Sequence, residues 1–171
     1  KKKIHYGLHH LDDDDIQAAV DILRKGPITQ GQVVEDFGRS LANYTSAKYG
    51  LAVSSGTAAL HISVSALDIG LGDEIITTPM TFCATANAAL YQGAEVKFVD
   101  IEKNTLNIDP QLIEQKISER TKAIIPVDFR GHPVDLPQIK SIVDKYNIKI
   151  IEDGSHSIGS TYNHDGKEYK C

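Results

Sequence analysis

From Tyr49 onward the chain alternates short apolar runs with helical repeats, and that rhythm narrows the fold more than any other feature. It predicts strands over residues 50–54, 73–78, 96–99, 122–127 and 148–151. Between them it predicts helices over residues 58–67, 82–91, 110–117 and 136–146, the third with Pro110 in its first turn. Two helices precede this pattern. Asp12 to Asp15 stand before Ile16, Ala19, Val20 and Leu23, and Gly26-Pro27 ends that stripe. A second stripe carries Val34, Phe37, Leu41 and Tyr44. Ile75-Ile76 and Ala123-Ile124-Ile125 are apolar at consecutive positions, as strands covered on both faces must be. The expected fold is α/β, a three-layer and mostly parallel sheet with helices on both faces, in one domain without a flexible linker. In such sheets ligands bind at the carboxyl ends of the strands.

Composition removes several function classes. A net charge of -5 with scattered basic residues argues against nucleic acid as the main partner. The Lys1-Lys2-Lys3 run is a terminal tail. No apolar stretch approaches the roughly 18 residues that span a bilayer, and the amino terminus is no signal peptide, so no membrane partner is expected. Two cysteines, Cys83 and Cys171, make no disulfide framework, which fits a cytoplasmic protein.

Three strand ends carry chemistry. Ser54-Ser55-Gly56-Thr57-Ala58 puts hydroxyls and a glycine between a strand and a helix. It reads as a phosphate cradle of free amides, or as a plain helix cap. It is neither a Walker loop nor a GxGxxG turn. At the second end, Phe82 opens a helix, where it could stack on a flat ring or simply belong to the core. The third is Ile150-Ile151-Glu152-Asp153-Gly154-Ser155-His156. A carboxylate there is costly to bury unpaired and becomes favourable beside a cationic nitrogen, though either acid could instead cap a turn or pair with a lysine. Phosphate cradle, flat aromatic and acid together are the parts needed to hold pyridoxal phosphate.

At these residues the chain resembles the DegT/DnrJ/StrS-type family of nucleotide-sugar aminotransferases. The resemblance runs through Ile28-Thr29-Gln30-Gly31, AKYGLAVSSGTAALH (47–61), GDEIITTPMTF (72–82), Asn107-Ile108-Asp109-Pro110, TKAIIPV (121–127) and IEDGSH (151–156). It implies the large domain of the aspartate-aminotransferase fold type I, with pyridoxal 5'-phosphate as cofactor, a nucleotide-sugar substrate, an amino-acid donor (glutamate) and a homodimer. By resemblance Gly56 and Thr57 bind the cofactor phosphate and Phe82 stacks on the pyridine ring. Asp153 pairs with the ring nitrogen, and His156 sits near the hydroxyl edge. Glu152 is then structural. Tyr6, Ile28 to Gly31, Ser55 and Val127-Asp128-Phe129 are similar to the branch that installs the 4-amino group of a pseudaminic-acid precursor, a UDP-4-amino-4,6-dideoxy-N-acetyl-altrosamine transaminase. Tyr6, Thr29, Gln30 and Ser55 would line its substrate site. Other 4-keto or 3-keto sugar nucleotides stay open.

The family's Schiff-base lysine lies roughly thirty residues beyond the aspartate, so it is expected beyond Cys171. No lysine in the chain has its context. The sequence therefore reads as the truncated amino-terminal part of a larger aminotransferase, inactive alone. A dehydratase-like member and a non-catalytic partner subunit are the alternatives. No metal site is expected: His5, His9, His10 and Asp12 to Asp15 read as a solvated terminus and a helix cap. His132, after a strand end, is a weaker substrate candidate.

Overall fold

The computed structural model describes residues 7–171, so Tyr6 and His5 lie outside the described residues. The chain separates into two compact units, one running through Ala52 and one Val53–Cys171.

The first unit holds α1 (Asp13–Lys25) and α2 (Gln32–Thr45). Asp12 caps α1 by accepting from the amides of Asp14 and Asp15, and the Asp15 side chain accepts the Asp12 amide in return. The acidic run is thus a capping box, as its place before the stripe implies.

The second unit is an α/β sandwich. Four parallel strands, β1 (Glu74–Thr77), β2 (Glu95–Phe98), β3 (Thr121–Ile125) and β4 (Lys149–Ile150), lie in the order β2-β1-β3-β4. Successive side chains point to opposite faces, and the core divides accordingly. Ile75, Ala123 and Ile125 pack with Leu60, Val64, Ala84, Ala88 and Ala89 of α3 (Gly56–Ala66) and α4 (Cys83–Tyr91). Ile76 and Ile124 pack with Ile113, Ile139 and Val143 of α5 (Pro110–Ile113) and α6 (Leu136–Tyr146). An antiparallel hairpin, β5 (Thr161–His164) and β6 (Lys167–Lys170), follows. No helix among the described residues is long and apolar enough to cross a membrane.

Two expectations need correction. Residues 50–54 form no strand. Among the described residues no strand pairs with them, and an unpaired apolar run gains nothing from the extended ladder form. Helix α3 starts at Gly56 rather than at residue 58. The Ser55 side chain explains this, because its hydroxyl accepts the Ala58 amide at 3.1 Å and so makes Ser55 the cap.

At the amino end of the sheet, Glu74 is fully buried. Lys97 lies 2.7 Å from its carboxylate, Arg120 is paired with it, and the Ser118 hydroxyl donates to it at 2.5 Å. Burial works to raise its pKa, but the Lys97 and Ser118 hydrogen bonds and the Lys97 and Arg120 charges hold it below the ordinary 4.5. A depressed acid contributes stability above its unfolded pKa and loses it as pH falls. Glu74→Ala is therefore expected to cost about 3 kcal/mol at neutral pH, measured by urea denaturation. The gap to wild type should narrow as pH falls below 4.5.

Candidate functional site

The carboxyl ends of β1, β3 and β4 converge on one cavity of about 270 Å3. Gly56, Thr57, Phe82, Asp153 and His156 all line it, together with Thr81, Val127, Asp128, Phe129 and Ser155. Five residues spread over a hundred positions of sequence are thus brought to one place by strand register.

Asp153 is set there by the sheet. Beyond β4 the chain continues in parallel pairing, with the Asp153 amide on the Pro126 carbonyl at 2.9 Å and the Asp128 amide on the Asp153 carbonyl at 3.2 Å. The side chain is only 6% exposed. Its Oδ1 accepts from the Ser155 hydroxyl at 2.6 Å and the Ser155 amide at 3.3 Å. Its Oδ2 accepts from the Thr85 hydroxyl at 2.7 Å. The neighbouring acid Glu152 meets Asp128 instead.

The start of α3 forms another part of the cavity wall. The amides of Gly56 and Thr57 are in the first helical turn and have no intrahelical acceptor. A Cβ on Gly56 would come within 3.3 Å of the Ser155 hydroxyl, so a side chain there would press on the group that holds Asp153. Phe82 is the cap residue of α4 and is 72% exposed. The core alternative for Phe82 is thereby overturned: its ring faces open space beside the cavity. The remaining loop is braced by Gly131, whose positive φ and lack of Cβ let the His156 carbonyl approach; an added Cβ would stand 2.7 Å from that oxygen.

Helix amides without an intrahelical acceptor, an exposed ring and a buried acid match a ligand with phosphate, planar ring and cationic nitrogen. Pyridoxal phosphate fits on those grounds.

Of the expected substrate residues, Thr29 and Gln30 are exposed in the turn between α1 and α2, in the first unit, and Gln30 has a left-handed backbone. Ser55 is exposed and spends its hydroxyl on the α3 cap. Tyr6 falls outside the described residues. His132 is exposed and lines a different cavity, of about 410 Å3, with Asn107 and His164.

Sequence reasoning passed over Thr81, Thr85, Ser155 and Asn107 as individual contributors. Thr81 and Thr85 flank Phe82 at a spacing of four, which could have marked them as a shared helix face. Asn107 clamps the loop at 128–132: its Oδ1 accepts the Phe129 amide at 2.9 Å and its Nδ2 donates to the His132 carbonyl at 2.9 Å.

Asp128 and Glu152 form a second acidic feature. Asp128 is fully buried, and its Oδ1 accepts the Val134 amide at 2.9 Å. Burial, then the charge of Asp128 and a hydrogen bond with it, push the Glu152 carboxyl up to about 7. A proton on Glu152 offers a donor to Asp128 Oδ2, which has no other hydrogen-bond partner among the described residues. Cys171 lies within 4.8 Å of both, and its thiol is pushed up to about 11 by burial and by the two carboxyls.

The DegT/DnrJ/EryC1/StrS aminotransferase family model matches residues 9–168. The spore coat polysaccharide biosynthesis protein SpsC of Bacillus subtilis is 39% identical over 157 residues, 92% of this chain and 40% of that protein. The UDP-4-amino-4-deoxy-L-arabinose–oxoglutarate aminotransferase of Shewanella sediminis is 41% identical over 152 residues, 89% of this chain and 39% of that one. A solved GDP-4-keto-6-deoxymannose-3-dehydratase carrying PLP and glutamate superposes with a TM-score of 0.85 at 32% identity, over 94% of this chain and 42% of that one. The chain therefore spans about 40% of the length of the curated relatives it matches.

The raised carboxyl of Glu152 has a consequence for stability. A carboxyl raised from 4.5 to about 7 in the fold contributes stability that is complete below pH 4.5 and lost as pH rises to 7. Glu152→Gln keeps a donor toward Asp128 and removes the ionisation. It should be more stable than wild type at pH 8 by about 2 kcal/mol, allowing for solvent screening at the partly exposed edge of Glu152. The difference should vanish near pH 4.5, as read from urea midpoints across that range.

Proposed function

The chain belongs to the DegT/DnrJ/EryC1/StrS aminotransferase family, and from that premise we propose that its cavity is the cofactor half of a sugar-aminotransferase site. The acceptor is the keto carbon of a nucleotide-linked deoxy sugar and the donor is glutamate, in the making of a cell-surface polysaccharide or glycan. Pyridoxal 5'-phosphate is the cofactor; when bound it supplies an electron sink through which an amino group can pass from donor to acceptor.

The observation that carries this reading is that one cavity is lined by the helix-start residues Gly56 and Thr57, the exposed ring of Phe82 and the buried carboxyl of Asp153. The Gly56 and Thr57 amides hold the phosphate, aided by the α3 dipole. Phe82 covers one face of the ring and keeps water from it. Asp153 holds a proton at the ring nitrogen, because an ionised carboxylate stabilises an adjacent cation. His156, on the same cavity wall, orients the hydroxyl edge.

The substrate reading is built on the relatives' names and on the branch resemblance. One relative is named for UDP-4-amino-4-deoxy-L-arabinose and another for spore coat polysaccharide. The first of these names carries a 4-amino sugar, and the 4-amino branch of a pseudaminic-acid precursor is the finer proposal. Tyr6, Thr29, Gln30 and Ser55 would face that sugar. A homodimer in the cytoplasm, and a proton-moving lysine supplied by the whole protein, complete the proposal.

Binding of pyridoxamine 5'-phosphate to the chain, followed by its fluorescence, tests the site. Wild type should bind. Asp153→Asn should weaken binding by roughly a hundredfold, as expected for loss of a charge-assisted contact of about 3 kcal/mol. Gly56→Ala should weaken it about tenfold by crowding Ser155, an estimate from the cost of a displaced hydrogen bond. Absence of wild-type binding, or binding indifferent to Asp153→Asn, would contradict the reading.

A further inference from the structure

The hydrogen bonds behind Asp153 have only one consistent direction. An ionised carboxylate can only accept. Thr85 lies 2.7 Å from Asp153 Oδ2, so the single hydroxyl proton of Thr85 is spent there. Thr81 Oγ1 lies 2.7 Å from Thr85 Oγ1. Thr85 has no second proton to give, so Thr81 is the donor in that contact. The protons therefore run one way, from Thr81 to Thr85 to Asp153. Thr85 is fully buried and stays off the cavity wall, whereas Thr81 lines the cavity.

The count of donors matters as much as their direction. A carboxylate offers about four lone-pair positions. Ser155 fills two with its hydroxyl and its amide, and Thr85 fills a third. Among the described residues one remains for a group in the cavity. Each donor also makes the carboxylate a weaker base. A cationic N–H arriving at the remaining position would thus keep its proton rather than pass it to Asp153.

We propose that Thr85, oriented by Thr81, is a positioning residue that holds the Asp153 carboxyl aimed into the cavity, so that a heterocycle there stays protonated on its ring nitrogen. This rests on the reading of the cavity as a pyridine-ring site. Thr85 touches neither ring nor substrate and acts only through Asp153. Because it sits one turn from Phe82 on the same helix start, the turn that presents the stacking ring also fixes the acid opposite.

The test compares pyridoxamine 5'-phosphate with its analogue in which C–H replaces the ring nitrogen. The ratio of their dissociation constants reports the nitrogen contact alone, free of the phosphate and of overall binding. Thr85→Val, nearly the same shape without the donor, should cut the ratio by about tenfold, the loss of one hydrogen bond to a charged group. Thr85→Ser should restore it. In the 15N spectrum of ring-labelled ligand, the pyridinium resonance of wild type should move toward the neutral position in Thr85→Val. If Thr85→Val keeps both the wild-type ratio and the wild-type resonance, the inference is wrong while the ring site stands. If wild type itself does not distinguish the two ligands, the ring-site reading fails and takes the inference with it. Should circular dichroism show Thr85→Val unfolded, Thr81→Val decides: a ratio reduced two- to threefold supports the relay, and an unchanged ratio overturns it.

Discussion

The structure depends on how a parallel sheet holds ionisable acids at the ends of strands covered on both faces. Such a strand is sealed by two helical layers, so any acid at its end is partly stripped of water and must find a partner. Three acids of the second unit meet this demand in three ways. Glu74, at the amino end, is neutralised by Lys97 and Arg120 and is purely structural. Glu152 is pushed up to about 7 by burial and by the neighbouring Asp128. Among the described residues Asp153 is met by three neutral donors, which aim its carboxyl at the cavity. A cationic ligand there would complete the acid's contacts, and the remainder of the cavity is arranged around it.

The same contrast explains why neighbours in sequence have different roles. Glu152 and Asp153 are consecutive on an extended segment, so they point to opposite sides. One side brings Glu152 to Asp128 and Cys171. The other brings Asp153 to Thr85, Ser155 and the cavity. The Asn107 clamp and the close approach at Gly131 hold the loops between these sides, so the site is placed by backbone contacts rather than by its own side chains.

Much of this was legible in the sequence. The alternating pattern marked β1, β2, β3 and β4 to within one or two residues, because strands buried on both faces need uninterrupted apolar runs. The strand-end rule and the family resemblance together pointed to Gly56, Thr57, Phe82, Asp153 and His156, and register brings all five to one cavity. Composition alone favoured a buried Phe82, since aromatic residues are usually core; exposure at a helix cap is a tertiary fact no local pattern encodes. Residues 50–54 looked like a strand but lack a partner, and pairing is likewise non-local. Thr85 was missed as a contributor because a buried threonine acquires meaning only from what lies 68 residues away at Asp153.

The most direct measurement is a crystal structure of the chain with pyridoxamine 5'-phosphate bound. The account predicts phosphate oxygens on the Gly56 and Thr57 amides, the ring flat against Phe82, and the ring nitrogen within hydrogen-bond distance of Asp153. A ligand seated instead in the second cavity beside His132 and His164, or lying in the first with its nitrogen away from Asp153, would contradict it.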